Sequence, residues 1–281
     1  FLVVAHCFYG LNFLNMWPCF LAPFLYMRYK NLDFKSNLPV CMFATSFSPF
    51  ISELLFRYTQ RENYVFGILQ LNISGILMTL LFSLMIGFVI PAILPGAHAW
   101  HKGYNLYNGG LAFGLFGFFL FNFLFGTMGI SPHEPVTRFN PVYEAFHRSY
   151  RLYGNLFFLF IFAVCIAIGY KLNGGGFKGY DRLMKDTGHC SDFAEKYGMP
   201  LCLMNIGCHG ALFLLYINLI IFFTEGVGFT GPTIGVVLAS LTFTAMGQHP
   251  KNVWPILFGY QTLYFLTMFL CFTDSRDLSW T

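Results

Sequence analysis

The chain has 281 residues, of which 56% are Ala, Val, Ile, Leu, Met, Phe, Trp, Tyr or Cys and only 10% are charged. That excludes an ordinary soluble domain, in which about a quarter of the residues carry charge, and the 20% aromatic content with 37 Phe excludes a disordered chain. A net charge of +4, from 16 scattered basic and 12 acidic residues, offers no concentrated basic face for nucleic acid.

The composition is that of a membrane protein. A bilayer core about 30 Å thick takes roughly 20 apolar residues of helix, and eight stretches lack Asp, Glu, Lys and Arg: 1–27, 36–52, 63–101, 103–133, 152–170, 197–224, 226–250 and 252–273. The first contains a break near Gly10 to Asn12 and then a helix from about Phe13 to Tyr29. Stretch 36–52 is short and carries Pro39, Thr45, Ser46, Ser48 and Pro49, so it reads either as a full span or as a re-entrant, broken helix. In 63–101 the pattern predicts a helical core over 75–95, ended by Pro91 and Pro95. Residues 127–151, with Glu134, Arg138, Glu144, His147, Arg148 and Arg151, suit a short surface-lying helix. Residues 171–200 hold five basic and four acidic side chains around Gly174-Gly175-Gly176 and read as an extramembrane loop or small cap.

The expected fold class is therefore all-α: a polytopic transmembrane helix bundle of about seven to eight hydrophobic segments, some broken or re-entrant. Seven of the eight Cys lie in apolar segments, and no CxxC occurs, so no metal and no cofactor is expected. Phe1 lies inside an apolar run and Leu278 to Thr281 directly follow a span, so 1–281 reads as a single transmembrane domain cut from a longer protein.

Two corners share their letters. Gly10-Leu11-Asn12-Phe13-Leu14-Asn15-Met16-Trp17-Pro18 and Gly247-Gln248-His249-Pro250-Lys251-Asn252-Val253-Trp254-Pro255 match at Gly, Asn, Trp and Pro, each 237 positions apart. An internal repeat of period 237 follows, in which 1–44 corresponds to 238–281 and the intact protein is about twice that period. Duplicated membrane proteins often carry their substrate path between the two copies. Seven spans per period would make the copies inverted and six would make them parallel. Basic residues divide 10 to 6 on alternate sides in the seven-span count and 9 to 7 in the six-span count, which favours seven and places the corners on opposite sides.

Three constellations are candidates for chemistry, each with a structural alternative: a capped interfacial loop for the first, a carboxylate that merely marks the membrane surface for the second and a structural hinge for the third. In His98-Ala99-Trp100-His101-Lys102-Gly103-Tyr104-Asn105-Leu106-Tyr107-Asn108, the carboxamides of Asn105 and Asn108 share one helical face at the membrane edge, where a helix start suits a small solute or anion. His98 and His101 stand three apart, but no third metal ligand is visible. Ser48, in a hydroxyl-rich run ending at Glu53, suits a broken helix offering carbonyls to a solute, with Glu53 placed to carry a coupling proton. Asn15 and Asn252 are the polar residues common to both corners, whereas Asn12 and Leu14 replace His249 and Lys251 in the first copy. Asn205 and His209, at i and i+4, suit helix–helix hydrogen bonding.

The run Gly103 to Gly110, the Ser48-Pro49-x-x-Ser52-Glu53 segment and Gly247-x-His249-Pro250-Lys251-Asn252-x-x-Pro255 resemble a family of bacterial multi-pass membrane proteins catalogued as domain of unknown function 1576. The resemblance implies an internally duplicated protein of the bacterial cytoplasmic membrane and supplies no activity. A fainter likeness to urea transporters lies in the duplicated helical unit and the Gly-x-Asn-rich helix start.

The expectation is a transporter or channel for a small solute, its path between two repeats and lined by Asn105, Asn108, Ser48, Glu53, Asn252, Asn15, His98 and His101. Its partners are the lipid bilayer and that solute, with a homo-oligomer left open. The alternative is a membrane enzyme or signalling component using His98, His101 and Glu53, although no GxSxG, HExxH, P-loop or dinucleotide fingerprint occurs and no catalytic residue stands out.

Overall fold

The computed structural model describes residues 2–57, 71–102, 108–129, 141–224, 229 and 231–271. Its elements are helices, with no strand among the described residues. Two compact units emerge, Leu2–Lys102 with Tyr107–His133, and Glu134–Thr281 with Gly103–Leu106 and Phe1.

In the first unit, α1 (Leu2–Phe8) and α2 (Phe13–Tyr29) meet at the Gly10 corner, and α2 continues through Pro18 and Pro23. Asp33 caps α3 (Phe34–Ala44) by accepting the Ser36 N–H at 2.8 Å. A 3-10 turn at Thr45–Phe47 interrupts the helix before α4 (Ser48–Ser52), and a π-helical turn at Glu53–Arg57 follows. Pro49 sits in the first turn of α4, where a missing N–H costs nothing. Stretch 34–57 is thus one interrupted helix.

The helix expected to end at Pro91 and Pro95 does not: α5 (Ile73–His101) runs through both. Prolines are tolerated in membrane helices because neighbouring groups satisfy the freed carbonyls. α6 (Asn108–Phe121) passes into a second π-helical turn, Asn122–Thr127. The unit's core joins Cys19, Phe47, Ile51, Leu54, Phe82 and Ile86. α2 and α5 pack backbone to backbone at Gly87, where a Cβ would fall 2.5 Å from the Ala22 carbonyl carbon.

In the second unit, α7 (Pro141–Leu172) is one continuous helix, so the surface helix expected within 127–151 is, from Pro141 onward, its first turns. No breaker separates the charged start from the apolar span. The 171–200 segment forms a small cap containing α8 (Tyr180–Leu183) and α9 (Phe193–Tyr197), its Leu183 and Phe193 packed on Leu201, Cys202 and Met204 of α10 (Met199–Thr224). α10 lies close against α7 through Gly207 and Gly210, where a Cβ would meet Ile166 and Phe162 at 2.4 and 2.3 Å, the small-residue contact usual between membrane helices. Asn155 and Asn218 join the same pair of helices through reciprocal amide bonds of 3.0 and 2.6 Å. α11 (Gly231–Thr242), a 3-10 turn at Phe243–Ala245 and α12 (Pro250–Cys271) complete the unit.

Among the described residues five helices are long and apolar enough to cross a membrane: Phe34–Phe56, Ile73–Leu94, Gly110–Thr127, Arg151–Leu172 and Met199–Phe222. Thr233–Ala245 is apolar but shorter, and α2 has 17 residues. Leu77, Leu81, Phe119, Phe157, Phe160 and Phe222 stand exposed on these helices, more apolar surface than a soluble monomer shows. The protein is membrane-embedded.

Candidate functional site

At each shared corner one helix must end and the next begin without leaving polar backbone unpaired. Gly10 and Gly247 make the break, with φ of +101° and +105°, a region that glycine enters without steric cost. Around them five hydrogen bonds recur at equivalent positions. The N–H groups of Tyr9 and Leu11 donate to the His6 carbonyl, both at 3.0 Å, and those of Met246 and Gln248 donate to the Phe243 carbonyl at 2.9 and 3.0 Å. These bonds satisfy the last carbonyls of the incoming helix.

Three residues after the cap position an asparagine closes each corner. Asn15 Oδ1 accepts the Asn12 N–H at 2.7 Å and its Nδ2 donates to the Gly10 carbonyl at 2.9 Å. Asn252 Oδ1 accepts the His249 N–H at 2.9 Å and its Nδ2 donates to the Gly247 carbonyl at 2.9 Å. The reciprocal cap is where the two corners differ in chemistry: Asn12 Oδ1 accepts the Asn15 N–H at 3.1 Å, whereas His249 Nδ1 accepts the Asn252 N–H at 3.3 Å.

The surroundings then diverge. Asn15, fully buried, also donates to Ser52 Oγ at 2.7 Å, tying the first corner to the end of α4. Nearby, the Thr45 hydroxyl donates to the Met42 carbonyl, so His6 Nδ1–H donates to Thr45 Oγ1 at 2.8 Å. The second corner lies under the cap. His249 Nε2–H donates to the Asp186 carbonyl at 2.9 Å, and its ring stacks on Phe193 at 6.2 Å. Gly188 and Gly247 touch so closely that a Cβ on either would lie 2.5 to 2.7 Å from the other's carbonyl oxygen.

Asp186 organises the cap. Its carboxylate accepts from Lys196 Nζ, from the Tyr197 hydroxyl at 2.6 Å and from the Gly188 N–H at 2.8 Å. Burial opposes its ionisation, but these three donors outweigh burial and hold the carboxyl well below the usual carboxylate range. Burial pulls His249 below the ordinary imidazole value, against the opposing bond to the Asp186 carbonyl, and keeps it neutral at pH 7.

Of the other expected site residues, Ser48 is fully buried at the start of α4, and its hydroxyl has no partner among the described residues. Glu53 is half-buried and opens the π-helical turn. His98 and His101 fall in the last turn of α5 and Asn108 opens α6, but their side chains, and all of Asn105, lie outside the described residues. No group of three His, Cys, Asp or Glu converges as metal ligands among the described residues.

Gln248 carried no functional signal in the sequence, because it lay in the corner between better-marked residues. It is fully buried, and neither end of its carboxamide has a partner among the described residues. Against it lie Asn205 and His209 of α10. Asn205 Nδ2 donates to the carbonyls of Gln248 at 2.7 Å and Thr244 at 3.2 Å, and His209 Nε2 meets Ser240 Oγ at 2.8 Å.

A sequence profile of the family described as "Protein of unknown function (DUF1576)" matches residues 1–125 and 172–274. No curated protein and no solved structure matches the chain.

Proposed function

The chain belongs to the DUF1576 family, and on that premise we propose that it is a transporter or channel for a small solute, with an internal duplication of period 237. The cell membrane that holds it is, on the family resemblance, the bacterial cytoplasmic membrane. One observation carries this reading: a polar helix-breaking corner with five equivalent hydrogen bonds occurs twice, 237 residues apart, in a membrane-embedded chain. Duplicated units with discontinuous helices are the usual construction of solute carriers, and the interrupted helix 34–57 adds a third discontinuity.

In this reading Asn15 and Asn252 shape the polar turns, and each keeps one Oδ1 lone pair for a solute. Ser48 supplies a buried hydroxyl, and Glu53 is the candidate for a coupling proton. Asn105, Asn108, His98 and His101 remain candidate solute contacts on the sequence pattern alone. The test is uptake by liposomes holding the full-length protein, across a panel of small neutral and anionic solutes. Uptake that falls at least severalfold in Asn15→Ala and Asn252→Ala supports the reading, whereas no uptake of any solute above empty liposomes sinks it.

A further inference from the structure

The junction of α10 with the second corner holds several buried polar atoms that satisfy nothing in the fold. Gln248, Asn205 and His209 are all fully buried. Among the described residues Gln248 Oε1 and Nε2, Asn205 Oδ1 and His209 Nδ1 have no hydrogen-bond partner. The Asn205 amide donates to the Gln248 backbone carbonyl, which brings its free Oδ1 beside the main chain of residue 248, and His209 follows one turn later on the same face of α10. Buried polar atoms are nearly always paired, and each one left over destabilises the protein.

The fold does not require this polarity. Position 248 corresponds to position 11 in the first corner, where the same main-chain bond to the residue five before it is made by Leu11, itself buried. A leucine therefore completes the corner without orphaned atoms. A carboxamide kept at this place against that alternative points to something other than folding.

We propose that the junction of Asn205, His209 and Gln248 binds a small uncharged molecule bearing both N–H or O–H donors and an acceptor, such as a primary amide or a polyol. This rests on the transport reading above and names its solute class. The protein offers two carbonyl acceptors, from Asn205 and Gln248, one NH2 donor from Gln248, and a His209 nitrogen whose sense follows its tautomer. An anion would face the two carbonyl oxygens. A cation would face the NH2 group, and the three residues supply no carboxylate. A neutral molecule with both kinds of group pairs with the whole set.

Saturation-transfer NMR on the full-length protein in detergent, with acetamide and glycerol as probes, tests the site. It compares wild type with Gln248→Leu, the residue of the first corner, and Gln248→Met, a close match in shape. The expected result is saturation of at least one probe by the wild type, an apparent affinity lower by about tenfold in both variants, and a higher melting temperature for both. No saturation of either probe by wild type, or undiminished affinity in whichever variant folds, overturns the proposal. Uptake in liposomes separates the two readings. Probe binding that depends on Gln248 without uptake of any solute leaves the site standing and removes transport, whereas uptake of other solutes without probe binding does the reverse.

Discussion

The two corners share a skeleton and differ in everything laid against it. Glycine in the left-handed region and asparagine five residues later recur because the break and its closure demand them. The residues between them are free to vary within a role: Asn12 and His249 both cap, one through an oxygen and the other through a ring nitrogen. Around Gly10 there is open space, whereas Gly247 is pressed against Gly188 of the cap. Closely similar local geometry thus serves one corner whose glycine is open and one whose glycine is covered, and the covering can be measured by treating the first as the control for the second.

The largest effect is expected at the glycines. Gly10→Ala forces a side chain into a left-handed conformation, at about 1–2 kcal/mol. Gly247→Ala adds a clash with the Gly188 backbone and should lose about 3–4 kcal/mol as the cap lifts. Thermal unfolding of both variants in detergent checks this, and equal losses would mean that the cap contact contributes nothing. Next come the closing asparagines. Asn15→Ala strips partners from Asn12, Gly10 and Ser52 and should lose about 3 kcal/mol, against about 2 kcal/mol for Asn252→Ala, which strips two.

A transplant between the corners is milder. His249→Asn keeps a capping acceptor but abandons the Asp186 carbonyl, for a loss of about 1.5 kcal/mol at pH 7. It also changes the pH profile. Buried His249 resists protonation more than the imidazole of the unfolded chain, so the unfolded state binds the proton first and stability is lost as the pH falls below about 6.5. Asp186 stays ionised throughout this range and adds no slope. Melting temperatures between pH 5 and 8 should therefore fall with acid in wild type and fall less steeply in His249→Asn, in which the other buried histidines, His6 and His209, keep the rest of the slope. The smallest loss, about 1 kcal/mol, is expected for Asn12→Ala, which removes a cap at a solvent- or headgroup-facing turn.

Gly10, Gly247, Asn15 and Asn252 were legible as letters because geometry leaves them few substitutes, and the break before α2 was legible for the same reason. His249 was not. A comparison of letters scores Asn12 against His249 as a mismatch, although both present an acceptor at the same place. Pro91 and Pro95 misled because their cost in water does not carry over to a helix surrounded by other helices and lipid. The cap was legible only as charge, since its fold depends on one carboxylate, Asp186, gathering donors from residues up to 11 positions away. Gln248 was illegible because polarity in a turn is ordinary; only its complete burial makes it unusual.

The bond from His249 to Asp186 spans 63 residues of chain, and this separation sets an order of assembly. At about 5–20 residues per second, the ribosome delivers the corner roughly 3–13 s after the cap. In that interval Leu183 and Phe193 already have their seat on Leu201, Cys202 and Met204, which follow much sooner than the corner does. The cap can therefore be built on the start of α10 before its latch exists, so that the last two helices meet a surface already presenting the Asp186 carbonyl and the face of Gly188.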